Sequence, residues 1–253
     1  MVAQTMSLPN VRKVFIPDPG YIMIEGDLER ADAHIVAWEA DDNELKDIFR
    51  SRLDVHRENA KAIFHTQNPS DEQRHKAKAG VHAINYIVSA RTLAAHLNLV
   101  VKEAEDFKNR WLSAHPKIRA WHKKVERQLY QNKTVTNIWG FKRRYTERAY
   151  GLLPKAVGWI GQSTVAVTID KALSAVDANL PRVQVLLQVH DSLLMQTKIE
   201  YFPDIMLPIA RHMHVDIPYA DPLSIPVTFA ASETSWGDVK KIDVEKICGK
   251  TLG

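Results

Sequence analysis

The sequence predicts an α+β fold, an antiparallel sheet interrupted by a long helical insertion, and three observations carry that prediction. Strand-like runs lie near the start and in the second half of the chain, a helix-patterned block separates them, and two apolar strands meet at a tight polar turn. The turn Pro17-Asp18-Pro19-Gly20 leads into YIMIEGDL, a short apolar strand ending near Asp27. A helical pattern follows through Ala31, Ile35, Val36 and Trp38. Residues from about 41 to 130 read as almost entirely helical, with breaks at Asn68-Pro69 and Pro116. VTNIWGFKRRY reads as strand and loop carrying a basic cluster, and GWIGQSTVAVTIDKALSAV as a buried helix. VQVLLQ and SLLMQT are strands joined through VHD, and IPVTFAA is a further strand. No internal repeat or low-complexity tract points to a solenoid or a disordered arm.

A chain of 253 residues buries a substantial core, and 45% hydrophobic with 25% charged residues is ordinary for a soluble enzyme. The net charge of +4 is compatible with a polyanionic partner and weak as a signal by itself. A lone cysteine, Cys248, excludes an intramolecular disulfide and a cysteine-based zinc site. The N-terminal MVAQTMSLPN lacks the regions of a secretory signal, and Lys155 and Gln162 interrupt the best membrane-span candidate, LLPKAVGWIGQSTVAV. The expected location is therefore the cytoplasm.

Asp27 falls at a strand end and Asp191 at a hairpin tip. Magnesium chemistry needs hard carboxylate oxygens on rigid supports, and pairing of the two strands would let these carboxylates bridge two ions about 3.5–4 Å apart. An isolated aspartate at either kind of position more often caps a helix or makes a turn.

NPSDEQRHKAKAGVHAINY is more informative. Ser70 and Gln73 form a capping box, and Arg74, Lys78, His82 and Tyr86 recur every four residues. They fall within roughly 120° of one helix face along about 18 Å. Two cations near the helix N-terminus followed by two rings match the layout of a nucleoside triphosphate, phosphates at one end and a stackable base at the other. A solvated basic face with a core tyrosine is the blander account of the same pattern.

Together these stretches resemble the polymerase domain of family A, the DNA polymerase I family, from about Val11 to Lys241. IEGDLERADAHIVAW resembles motif A, QRHKAKAGVHAINY motif B and QVHDSLL motif C; LDVHRENAKAIF, HPKIRAWHKKV and IWGFKRRY resemble further family stretches. The resemblance implies a right-hand polymerase palm, an antiparallel sheet with helices, at about 1–45 and 135–253, and helical fingers at about 46–134, in one catalytic module. It implies two Mg²⁺ ions, with Asp27 and Asp191 as catalytic ligands and Leu28 in the metal-binding set. Arg74, Lys78, His82, Tyr86, His56 and Asp32 become nucleotide-binding residues. Gln162, His190, Lys142, Arg143 and Arg144 become DNA contacts. The partners implied are primer–template DNA, deoxynucleoside triphosphates and a second polypeptide supplying thumb and exonuclease functions, both absent from this stretch. A split polymerase of viral type is the expected setting.

The sequence departs from the family pattern at several positions. Ser192 replaces the carboxylate that usually follows the motif C aspartate, Asp32 replaces a glutamate that walls off the ribose 2′ position, and His82 replaces a Phe or Tyr. Ala83 and Ile87 stand where glycine is frequent and are expected to stiffen the fingers helix. A catalytically weak remnant that binds DNA or a partner is the alternative. A magnesium-dependent hydrolase leaves the 74–86 helix without a role.

Overall fold

In the computed structural model of the chain, residues 10–51 and 53–248 are described. Residues 1–9, which belong to the stretch read for a leader, and the side chain of Cys248 lie outside them. The elements run β1 (Tyr21–Leu28), α1 (Ala31–Glu39), α2 (Asn43–Arg50), α3 (Val55–Phe64), α4 (Asp71–Asn85), α5 (Ala90–Leu97), α6 (Val101–Ala114) and α7 (Pro116–Asn132). They continue with β2 (Thr134–Thr136), β3 (Lys142–Arg144), α8 (Leu153–Asn179), β4 (Gln184–Val189), β5 (Ser192–Lys198) and α9 (Phe202–Met213). The last are β6 (Asp216–Ile217), β7 (Leu223–Ser224), β8 (Val227–Ser232), β9 (Lys240–Ile242) and α10 (Val244–Cys248). The fold is α+β, and the chain divides into two compact units. Of the described residues, those within 10–29, 166–217 and 224–248 form one, and those within 30–165 and 218–223 form the other.

The first unit is built on a five-stranded antiparallel sheet in the order β4-β5-β1-β8-β9. β1 is central, so YIMIEGDL is apolar on both faces, with Ile22, Met23, Ile24 and Leu28 all buried. At Gly26 a Cβ would stand 2.5 Å from the Met213 sulfur, so the end of the Met213 side chain fills the space beside the glycine. The sequence reading passes over α9 because Pro203 and Pro208 interrupt its pattern, yet Ile205, Met206, Ile209 and Met213 are buried along it. On the opposite sheet face Met23 and Leu194 are buried with Trp236. The edge strand β4 carries a bulge: Val185 pairs with Met195 and Leu187 with Leu194, which leaves Leu186 unpaired.

The second unit is helical. α4 packs against α3, α5 and α6, and α6 against α3, α5 and α7. The expected breaks fall where backbone chemistry puts them: Pro69 precedes the Ser70 N-cap of α4, and Pro116 is the first residue of α7. Ile87 corrects the sequence reading. Ala83 lies within α4, but Ile87 lies beyond its C-cap Tyr86 at φ 65°. The Val88 N–H donates to the Ala83 carbonyl at 3.1 Å and the Ile87 N–H to the Ile84 carbonyl at 2.9 Å, a Schellman ending. A β-branched residue in this left-handed position costs about 1–2 kcal/mol, so Ile87 strains the exit of the helix instead of stiffening its body. No helix among the described residues is long and apolar enough to cross a membrane.

Candidate active site

In the sheet unit, strand pairing brings the two aspartates together. Asp27 lies opposite Ser192 in the β1–β5 register, and the Leu28 N–H donates to the Asp191 carbonyl at 3.0 Å. His190 precedes Asp191 at φ 55°, a left-handed step that makes the β4–β5 turn tight enough to set Asp191 beside the end of β1. Burial first, then the Asp191 and Glu25 carboxylates, push the Asp27 carboxyl up to about 6, against the opposing pull of Arg12 and Lys241. Arg12 lies 4.4 Å over the Trp236 ring, and the Trp236 indole N–H donates to Glu25 at 2.9 Å.

This donor set fits a magnesium ion. Two neighbouring carboxylates whose repulsion is not fully offset are what a divalent cation neutralises, and Mg²⁺ is commonly held by one or two carboxylates with water and substrate phosphates completing its shell. No group of three or more His, Cys, Asp or Glu able to hold a metal occurs among the described residues. The Leu28 side chain is buried and apolar, which leaves its backbone carbonyl as its sole donor. Ser192 turns its hydroxyl away from such a role: it donates to the Val189 carbonyl at 3.0 Å and closes the turn.

In the helical unit, Ser70 and Gln73 form the reciprocal capping box, at 2.9 and 3.2 Å, and start α4 where the sequence places it. Arg74 donates through Nε to Asp54 at 2.6 Å, and Asp54 also accepts the backbone N–H groups of His56 and Arg57 at the start of α3. The same carboxylate thus caps one helix and fixes an arginine on the next. Burial first, then Lys78 and Arg30, push the His56 imidazolium down to about 4, so the ring is neutral near pH 7. Lys78 and His82 are exposed on α4.

Further along α4, the His82 and Tyr86 rings meet edge-on at 5.1 Å between centroids. The Tyr86 hydroxyl donates to Asp32 at 2.9 Å, and burial with that carboxylate holds its pKa well above the usual range. The hydroxyl also lies 2.8 Å from where a Cβ on Gly161 of α8 would be, so the glycine makes room for it. Asn85, the last residue of α4, is fixed from two sides: its side-chain oxygen accepts from the Trp111 indole and its carbonyl partners the His122 ring, each at 2.9 Å.

Gln162 is exposed on α8, one residue from Ser163, which accepts from the Asn137 amide at 3.0 Å and so ties down the β2–β3 hairpin. Lys142, Arg143 and Arg144 all lie exposed on β3. The candidate residues therefore form two groups: Asp27, Leu28, His190 and Asp191 in the sheet unit, the nucleotide and remaining DNA candidates in the helical unit. Sequence reasoning missed Arg30 and Asp54. Asp54 had a visible signal as an N-cap before VHRENA, but nothing in spacing ties it to Arg74, and nothing ties Arg30 to His56.

Comparison with known proteins bears on what these groups are. The model of DNA polymerase family A matches residues 2–238. DNA polymerase I of Pseudomonas aeruginosa is 30% identical over 202 residues, covering 74% of this chain and 22% of that protein. DNA polymerase I of Geobacillus stearothermophilus is 26% identical over 245 residues, covering 91% and 28%. The chain thus spans about a quarter of the length of these curated relatives. The POL domain of Pol1 from M. smegmatis, in complex with DNA primer-template and dNTP, shares the fold with a TM-score of 0.80 at 22% identity, over 89% of this chain and 42% of that one. A family match that runs through nearly the whole sequence decides the matter: the chain belongs to DNA polymerase family A.

Proposed function

We propose that this chain carries out template-directed DNA synthesis, transferring a nucleotidyl group from a deoxynucleoside triphosphate to a primer 3′-hydroxyl. Its palm is about residues 1–45 and 135–253, and its fingers about 46–134. The observation that carries the reading is the pair Asp27, near the end of β1, and Asp191, in the turn that leads into the adjoining strand β5, with the Asp27 carboxyl held at about 6. Asp27, Asp191 and the Leu28 carbonyl would hold two Mg²⁺ ions. Such ions, when bound, make the 3′-hydroxyl more acidic and neutralise charge gathering on the phosphates.

The chain's own residues do the rest. The Nη groups of Arg74, whose Nε is engaged by Asp54, and the ammonium of Lys78 bind phosphate oxygens. His56, neutral beforehand, donates a hydrogen bond and gains a proton as the anion arrives. The 3′-oxygen bonds to the α-phosphorus, the bond to the β-phosphate bridging oxygen breaks, pyrophosphate leaves and the hydroxyl proton passes to solvent. Tyr86 and His82 face the base and sugar, with Asp32 fixing Tyr86. Gln162, His190 and the Lys142–Arg144 strand hold DNA. A second polypeptide carries thumb and exonuclease functions, and extension would then persist to higher salt when it is added.

Ser192 favours one rival, a binding remnant, because its hydroxyl is committed to the turn and brings no charge. Primer extension with Mg²⁺ at low salt separates the two. Extension abolished by Asp27→Ala and by Asp191→Ala is the expected result; DNA binding without extension in any condition sinks the catalytic reading.

A further inference from the structure

The charge of this chain is concentrated in one place. Residues 117–148 hold ten Lys and Arg against Glu126 and Glu147, a net +8, whereas the whole chain nets +4 and the remainder is therefore −4. This segment is α7 followed by the β2–β3 hairpin, all within the helical unit. On α7 the buried stripe is Ile118, Trp121, Val125 and Leu129, which turns Lys123 and Arg127 to the outer face. At the end of the helix Lys133 takes the left-handed cap, and its carbonyl accepts the Tyr145 N–H at 2.8 Å, so helix and hairpin are joined.

A solvated helix face normally interleaves both signs at i, i+4 spacing. Here, among the described residues, Lys123, Arg127, Lys133, Lys142 and Arg144 are in no ion pair. Large rings stand exposed among them: Tyr130 at 63%, Phe141 at 58% and, just beyond, Tyr150 at 89%. Left exposed, these rings present flat faces on which an unpaired base can stack. Unpaired cations interleaved with exposed aromatics suit a single nucleic-acid strand, whose phosphates and unstacked bases both need partners; a duplex offers phosphates but no open base faces. The Asn137–Ser163 hydrogen bond fixes the hairpin one residue from Gln162, so this surface continues from a candidate DNA contact.

We propose that the outer face of α7 with the β2–β3 hairpin is a single-stranded DNA track, which in the polymerase reading receives unpaired template. Only the identity of the strand as template rests on that reading; binding itself does not. The test is fluorescence anisotropy of the full chain with a labelled single-stranded oligothymidylate of about 20 nucleotides, without metal or nucleotide. Binding is expected to weaken with salt at about 0.7 log units per log unit for each phosphate-neutralising cation.

The triple variant Lys123→Gln, Arg127→Gln, Lys133→Gln should lose about two units of that slope and at least about tenfold in affinity at low salt. Tyr130→Leu should cost about fivefold or more on the single strand with the slope retained, and should leave blunt duplex binding unchanged. Unchanged thermal melting would show that these exposed substitutions leave the fold intact. Wild-type affinity and slope in the triple variant overturn the track, and equal effects of Tyr130→Leu on single strand and duplex overturn its preference for single strands. Because the assay contains no catalysis, failure to extend a primer would not touch this result. Failure of the track would leave extension on a one-nucleotide overhang as it was.

Discussion

Asp32 and Tyr86 act as one unit, since the hydroxyl of one donates to the carboxylate of the other at 2.9 Å. Glutamate at position 32 is one methylene longer and can hold Tyr86 while reaching further toward a sugar. Asp32→Glu is therefore expected to raise the preference for deoxynucleotides over ribonucleotides about tenfold, the scale one methylene supports, measured as the ratio of kcat/KM values. An unchanged ratio would show that residue 32 does not meet the sugar. His56 gives a second residue-scale expectation. Its folded value of about 4 lies below the 6.5 of an unperturbed histidine, so between these pH values the unfolded chain binds more protons. Its contribution is fully present above pH 6.5 and is lost as pH falls toward 4. Urea midpoints across that window should fall more steeply for the wild type than for His56→Gln. Arg74, Lys78, His82 and Tyr86 are legible as a face because the helical period groups them. Arg30 and Asp54 are not, because contacts made across a fold leave no period in the sequence.

At the scale of elements, five helices among the described residues end on a left-handed residue that is not glycine: Asp41 after α1, His65 after α3, Ile87 after α4, Asn98 after α5 and Lys133 after α7. His65 is exposed, so His65→Gly removes strain without losing packing and should stabilise the protein by about 0.5–1 kcal/mol in urea unfolding. Ile87 is partly buried, and there the lost contact offsets the gain. Helix α8 supplies the room for Tyr86 through Gly161. Gly161→Ala should displace the Tyr86 hydroxyl from Asp32 and change the same sugar-preference ratio as Tyr86→Phe, with neither substitution altering residue 32. A ratio moved by Tyr86→Phe and left alone by Gly161→Ala would mean that the ring shifts without breaking the bond. Between elements, the buried His115 ring meets the buried Asp42 carboxylate at 3.1 Å, and Asp42 also accepts the Leu45 N–H at the start of α2. His115→Ala leaves that carboxylate without its partner and should cost about 3 kcal/mol in chemical denaturation.

For the molecule as a whole, the α+β class was legible because β1 and the β4–β5 hairpin have short apolar runs bounded by turn residues, while residues 41–130 keep a helical period. The order of the sheet was not, since β8 and β9 reach β1 through pairings that no local pattern encodes. Helix α9 was hidden by its prolines, because Pro203 sits in the first turn where a missing N–H costs nothing, and only packing against the sheet carries the chain past Pro208. The bulge in β4 has a consequence for the protein's company. β4 is the outermost strand, with Leu186 and Leu187 part-exposed, so a regular ladder there would offer a second copy a ready edge to pair with. The extra residue puts the edge out of step. Deleting Leu186 should straighten it and promote self-association, visible as a steeper concentration-dependent rise in light scattering than the wild type shows.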